Sequence, residues 1–289
     1  GQRKVLPDRR RHRGPVCGKQ PPLCRRHRLH THGHFAGVPE TLLVSLSSAY
    51  LESQKNGLYS EKVKEGSLQL FVPNECSSED YGPVLFSVTN VQSIAILDMR
   101  LLNLDRHANN LLVTRQRLRA MSRCDDVLDA SKSRASTCRR SMSICTAPNH
   151  DDILLVPIDH GYSLPVCTTK AVPEWCWRYW YQSQVGIEES VKEYIRNLDV
   201  DKDIALLKNN IPEIEEEAIW TLSISTMWLK LGVEAGLTIQ AVSSFYFPGE
   251  EELSGFQQLV SMYYESLYEC FDSFLNEVGV EYMKQLISK

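Results

Sequence analysis

No run of about 18 apolar residues, the length a helix needs to cross a bilayer, occurs anywhere in this chain. No apolar segment of a secretory signal stands near its start either. These absences argue against a membrane-spanning helix and signal-directed export. A cytoplasmic chain is expected, with peripheral contact at a membrane surface left open. No Cys-x-x-Cys pair occurs, and the nine cysteines fall at irregular spacing. An odd, unpatterned set is a poor disulfide framework and reads as mostly free thiols in a reducing compartment. No internal repeat is visible, which argues against a solenoid or propeller. No Gly-rich loop of the kind that covers nucleotide phosphates precedes residue 105.

What is present is ordinary for a globular protein: 289 residues, 43% hydrophobic and 24% charged. The length suits one large domain or two small ones. The net charge of −4 hides an asymmetry. Residues 1–34 hold ten Lys and Arg against the single acid Asp8, whereas the remainder holds 22 basic and 35 acidic residues. The first 34 residues have almost no aliphatic run, so they cannot bury a core and are expected to be a disordered basic arm outside the domain. Such an arm suits nucleic acid or acidic lipid, but nothing beyond residue 34 supports a nucleic-acid partner. Cys17, Cys24, His27, His30, His32 and His34 invite a zinc reading, which the Cys-x6-Cys spacing does not favour.

Order is expected from Phe35. Leu42, Val44 and Leu46 alternate with small or polar residues, the period of a strand. Residues 52–66 read as loop, and Leu68, Leu70 and Val72 as a short strand ended by Pro73. Ser87 suits an N-cap, followed by Val88, Val91, Ile94, Ala95 and Met99 at helical spacing. Two short apolar strands follow at 111–113 and 153–156, separated by a period-free stretch over 114–150 that reads as a long disordered insertion. Residues 162–187 are aromatic and irregular. Helices are expected over about 188–196, 200–209, 213–235 and 250–287, with Ile214, Ala218, Leu222, Ser225 and Leu229 on one face of the third.

Two apolar strands, each ending in a carboxylate, carry the chemistry. Asp105 is followed five residues later by Asn110, and Asp159-His160-Gly161 closes the later strand. Phosphoryl transfer to a hydroxyl needs these parts. One Asp orients or deprotonates the acceptor hydroxyl. An amide oxygen and a second carboxylate suit Mg²⁺, which takes hard oxygen ligands. Asp-x4-Asn and Asp-x-Gly are each common alone; their order and flanking apolar segments make them specific together.

The run Asp105-Arg106-His107-Ala108-Asn109-Asn110 resembles the catalytic loop of the phosphatidylinositol 3- and 4-kinase superfamily. Protein kinases place His-Arg before the Asp instead. The wider run from Ile96 to Val113, with Phe35-Ala36-Gly37-Val38-Pro39, Gly66-Ser67-Leu68-Gln69-Leu70-Phe71-Val72 and Val156-Pro157-Ile158-Asp159-His160-Gly161, resembles the plant gamma-type phosphatidylinositol 4-kinases. The resemblance runs from about residue 35 to the C-terminal helices and omits 114–150.

The resemblance implies an α+β, protein-kinase-like fold over 35–289, mostly the helical C-terminal lobe with a remnant of the N-terminal-lobe sheet. It implies phosphorylation of phosphatidylinositol at the inositol 4-hydroxyl, using ATP with Mg²⁺ or Mn²⁺. Asp105 would be the base or hydroxyl-orienting group, and His107 would sit near the γ-phosphate or be a structural hydrogen-bonding ring. Asn110 and Asp159 would hold the metal and nucleotide, and Arg106 is expected to be structural. Gln69, Phe71 and Val72 would lie on the hinge and face adenine. Residues 160–187 would form the activation loop at the lipid head group. There Lys170 and Arg178 meet phosphate, and Trp175 and Trp177 either touch the membrane or pack in the core.

Lys4 and Lys19 are poor candidates for the phosphate-clamping lysine, so that half of the site is expected upstream of this chain. The alternatives are a catalytically inactive, partner-binding kinase-like chain and a Ser/Thr protein kinase of the same fold.

Overall fold

The computed structural model describes residues 35–47, 63–115, 153–165, 172–249 and 252–288. The expected basic arm over 1–34 and nearly all of the expected insertion lie outside these residues. The architecture is α+β, and two compact units are distinguished. One includes residues 42–68. Its described part is two strands, β1 (Thr41–Ser47) and β2 (Val63–Gln69), which pair with each other and whose outer ends, Thr41 and Gln69, belong to the second unit. The strand expected at 68–72 is therefore shifted. β2 begins earlier, within the expected loop, and ends at Gln69.

The second unit contains the core. Helix α1 (Val88–Arg100) starts where expected, with the Ser87 hydroxyl accepting from the Asn90 amide at 3.3 Å. Its Val91, Ile94, Ala95 and Met99 are buried, and Gln92, Ser93 and Asp98 are buried with them. A helix this enclosed needs partners for its polar side chains. Gln92 donates to the Gln182 and Gly186 carbonyls and accepts from the Glu188 amide.

A three-stranded antiparallel sheet lies beside α1, in the order β3 (Cys76–Ser77), β5 (Leu111–Arg115) and β6 (Ile153–Pro157). Its register pairs Leu111 with Pro157 and Val113 with Leu155. The strand β5 runs on through Thr114 and Arg115, so the insertion starts later than residue 114; Thr114 is buried and donates to the Pro73 carbonyl. Asn90 clamps β6 to α1 by accepting from the Leu155 amide at 2.7 Å. A second small sheet pairs β4 (Asp105–Arg106) with β7 (Glu174–Trp175) in parallel.

The remaining helices are α2 (Tyr181–Gln184), α3 (Glu189–Arg196), α4 (Val200–Asn210), α5 (Glu216–Glu234), α6 (Ile239–Ser243), α7 (Gly255–Glu265), α8 (Phe271–Phe274) and α9 (Val280–Ile287). Central α5 is buried on most of its circumference, including Ala218, Leu222, Ser225 and Leu229 of the expected face; Ile214 precedes it. Three of its buried hydroxyls, on Thr221, Ser223 and Thr226, are satisfied within the helix by donating to carbonyls four residues back.

The single helix expected over 250–287 is broken. A capping box at Ser254 and Gln257 starts α7. After Glu265 the Ser266 hydroxyl donates to the Tyr263 carbonyl, and the chain turns. Phe271 then stacks on Trp220 with centroids 4.8 Å apart. Folding these rings back onto α5 buries more apolar surface than continuing one helix would.

Candidate active site

A turn, and no strand, leads into Asp105, which opens the two-residue strand β4. Helix α1 ends at Arg100, and Leu102 takes a left-handed backbone with φ of 45°. Asn103 then folds back onto the helix. Its amide N–H donates to the Asp98 carbonyl at 2.9 Å, its side chain donates to Asp98 Oδ1 at 3.3 Å, and its Oδ1 accepts from the Asp105 amide at 3.1 Å. The apolar strand expected before Asp105 is therefore absent.

Backbone hydrogen bonds join this turn to the second carboxylate segment. The Leu104 amide donates to Tyr162, the Leu164 amide to Leu101, and the Ile158 amide to Asn110, at 3.1, 2.7 and 3.0 Å. Asp159 and Leu164 also have left-handed backbones, with φ of 51° and 52°. Among the described residues, the three non-glycine positions of positive φ all lie in these two segments. A leucine pays for that conformation sterically, whereas an Asp tolerates it. Such strain concentrates where a site over-determines the backbone.

Arg106 ties the two segments together from within. Its side chain is fully buried. Nε lies 3.0 Å from both oxygens of buried Asp98, Nη1 donates to the Asn110 and Ile158 carbonyls at 2.8 and 2.5 Å, and Nη2 lies 3.0 Å from His160 Nδ1. Burial alone pushes the Asp98 carboxyl pKa upward. Every contact it makes is with a donor, however, including Trp177 Nε1 at 2.9 Å. That pattern belongs to the ionised, acceptor-only form. His160 is pushed down to about 4, first by burial and then by the Arg106 charge, so its ring is neutral and accepts at Nδ1.

The four central residues of the expected site are thus carried on two interlocked segments. Asp105 and His107 are partly exposed, with His107 Nε2 3.8 Å from Asp105 Oδ1. His107 Nδ1 accepts from the Asn109 amide at 3.2 Å and caps the turn Ala108–Asn110. This fixes the proton of a neutral ring on Nε2, the nitrogen nearer Asp105. Asn110 donates its Nδ2 to the Asp105 carbonyl at 2.9 Å, which leaves its amide oxygen as the free end. Asp159 Oδ1 accepts from the Gly161 amide at 3.3 Å. An oriented amide oxygen and an exposed carboxylate are hard donors that fit Mg²⁺, whose shell substrate phosphates and water complete.

Gln69 ends β2, and Phe71 and Val72 lie on the segment after it. Gln69 donates to Thr41 Oγ1, Phe71 is 80% exposed, and Val72 is buried. Their segment is tied to the site through β5, where the Glu75 amide donates to the Val113 carbonyl. Trp175 and Trp177 are core residues, stacked with centroids 4.9 Å apart, which decides against a membrane role for either. Arg178 stacks on Phe247 at 3.8 Å and donates to the Ser243 hydroxyl; Lys170 lies outside the described residues. Sequence reading missed Asp98, Asn103 and Trp177 as supports of the site. An acid and an amide on the apolar approach to Asp105 were the available signal.

The model of the family described as phosphatidylinositol 3- and 4-kinase matches residues 6–240. This chain belongs to that family. It is 38% identical over 204 residues to phosphatidylinositol 4-kinase gamma 4 of Arabidopsis thaliana, covering 71% of this chain and 29% of the relative. It is 40% identical over 210 residues to phosphatidylinositol 4-kinase gamma 4 of Oryza sativa subsp. japonica, covering 73% and 30%. With phosphatidylinositol 4-kinase gamma 1 of Arabidopsis thaliana the identity is 36% over 225 residues, covering 76% and 35%. The chain spans about a third of the length of these curated relatives. Among the described residues, no helix is long and apolar enough to cross a membrane.

Proposed function

We propose that the chain contributes the hydroxyl- and metal-binding half of an ATP-dependent phosphatidylinositol 4-kinase, with a kinase-like fold represented mainly by its helical C-terminal lobe. The observation that carries this reading is the interlocking of the Asp105–Asn110 and Asp159–Gly161 segments through Arg106.

Asp105 accepts a hydrogen bond from the inositol hydroxyl and takes its proton as the new P–O bond forms and the γ-phosphorus–oxygen bond to the departing ADP breaks. His107, with its proton on Nε2, faces the same side and donates to the transferring phosphoryl group as charge develops there. Asn110 Oδ1 and the Asp159 carboxylate hold Mg²⁺, which when bound neutralises phosphate charge. Gln69, Phe71 and Val72 provide the adenine-side contacts, and residues 160–187, apart from the core residues Trp175 and Trp177, meet the lipid head group at the membrane surface. The 4-hydroxyl assignment rests on the names of the relatives.

The test is transfer of labelled phosphate from Mg²⁺–ATP to vesicles of phosphatidylinositol and phosphatidylcholine, with positional analysis of the deacylated product. The 4-phosphate is expected, and Asp105→Asn should lower its formation about 10²–10⁴-fold. Label in protein alone, or at another hydroxyl, would sink the assignment. No transfer by the wild-type chain would favour a partner-binding, inactive role for this segment.

A further inference from the structure

We propose that Trp177 and Asp98 are positioning residues for the metal side of the site, acting through Arg106. The inference rests on the reading of Asn110 and Asp159 as metal ligands given above. Neither Trp177 nor Asp98 is placed to touch a reacting atom. Instead an unbroken, buried chain of hydrogen bonds runs from the Trp177 indole to Asp98 Oδ2, from Asp98 to Arg106 Nε, and from Arg106 to the carbonyls of Asn110 and Ile158. One carbonyl belongs to a metal ligand, and the other to the residue before the second ligand.

Geometry explains why the chain matters. A guanidinium is planar, so holding Nε against both Asp98 oxygens fixes the direction of Nη1 and Nη2. Nη1 then spans the two carbonyls, and Nη2 meets the His160 ring. The two ligand segments are separated in sequence by the whole stretch 111–157, so their spacing is a tertiary property. A ligand pair misplaced by about 1 Å binds metal and phosphate poorly.

Stability alone is a weak reason for this network. Burying a carboxylate and a guanidinium costs several kcal/mol per ion, and an apolar pair of similar volume is often as stable. Other buried indoles here are satisfied more simply. Trp175 donates to the Asn103 carbonyl and Trp228 to the Val242 carbonyl. Trp177 instead donates to the ion that aims Arg106. Because β7 and the turn Cys176–Tyr179 carry Trp177, the position of this segment is coupled to the metal side.

The experiment compares Trp177→Phe with Trp228→Phe, which loses an equally buried indole hydrogen bond away from Arg106. Amide hydrogen exchange of the peptide covering 158–164 is the first readout. Trp177→Phe should speed it about tenfold or more while α5 stays protected, and Trp228→Phe should leave 158–164 unchanged. The second readout is the Mg²⁺ concentration for half-maximal ATP binding, which should rise about tenfold, as when a residue supporting a metal ligand is removed. Asp98→Asn, of the same shape, should reproduce both effects, and adding Trp177→Phe to it should add little, since both act through Arg106.

Unchanged exchange at 158–164 in Trp177→Phe and Asp98→Asn, or an equal rise in Trp228→Phe, overturns the proposal; so does an unchanged Mg²⁺ requirement in Trp177→Phe and Asp98→Asn where the wild-type chain binds Mg²⁺–ATP. If the wild-type chain binds none, the functional reading of this chain fails, and the exchange comparison still decides the positioning role. Should Trp177→Phe not fold, Asp98→Asn supplies the same comparison.

Discussion

Arg106 Nε stands 3.0 Å from each carboxylate oxygen of Asp98, and neither side chain is exposed to solvent. The pair sits where α1, the turn carrying Asp105 and the Asp159 segment meet. Removing one partner leaves the other charged and buried, which typically costs about 3–5 kcal/mol. Arg106→Met should therefore destabilise the protein by that order, measured by urea denaturation. Arg106→Met with Asp98→Leu should recover part of the loss. A double variant no better than the single would show that packing, not the stranded charge, sets the cost.

His160 predicts a pH dependence. Its folded pKa of about 4 lies below the ordinary 6.5, so the unfolded chain binds the proton more readily. The stability contributed by the neutral ring is complete above pH 6.5 and is lost as the pH falls towards 4. At about 1.4 kcal/mol per pH unit, the loss is of order 3 kcal/mol. In metal-free buffer, urea midpoints at pH 7.5 and 4.5 should differ more for the wild type than for His160→Gln. Equal differences would remove His160 from the account.

Asp105 and Asp159 should separate kinetically. Asp105 is partly exposed and Asp159 is exposed, and Asn tolerates the left-handed backbone that Asp159 adopts, so neither substitution should unfold the protein. Asp105→Asn should lower turnover by about 10²–10⁴-fold with an unchanged Mg²⁺ requirement. Asp159→Asn should raise the Mg²⁺ requirement itself. Metal titration of lipid phosphorylation reads both effects, and a shared pattern would contradict the division of roles.

Gly232 is fixed by packing. A Cβ there would meet Val242 Cγ2 at 2.7 Å, where α5 passes α6. Alanine normally gains about 1 kcal/mol over glycine inside a helix, but overpacking costs about 1–3 kcal/mol. Gly232→Ala should lower stability, and Val242→Ala in the same chain should relieve part of the penalty. Calorimetric unfolding of the two singles and the double checks the coupling.

Local chemistry was legible in the chain order. The Ser87 cap, the helix it starts, the β5 and β6 strands, and the helices from Glu189 to Glu234 follow from periodicity and capping. The pattern Asp105-Arg106-His107 with Asn110 and Asp159 pointed to the family. The break of the last helix was not legible, because the interactions that bend the chain involve Trp220 on α5. The fate of Trp175 and Trp177 was open for the same reason: an aromatic suits a core and a membrane surface equally until its neighbours are known.

The amino-acid sequence by itself determined which groups are available: two carboxylates, an amide and an imidazole at spacings suited to phosphoryl transfer, with the family they belong to. Only the tertiary structure decided how they are held. Asp98 and Arg106, Ile158, and Trp177 converge from three separate stretches of chain. A buried ion pair reveals itself only when burial and partner are seen together, because its carboxylate and guanidinium are ordinary surface residues in any one-dimensional reading.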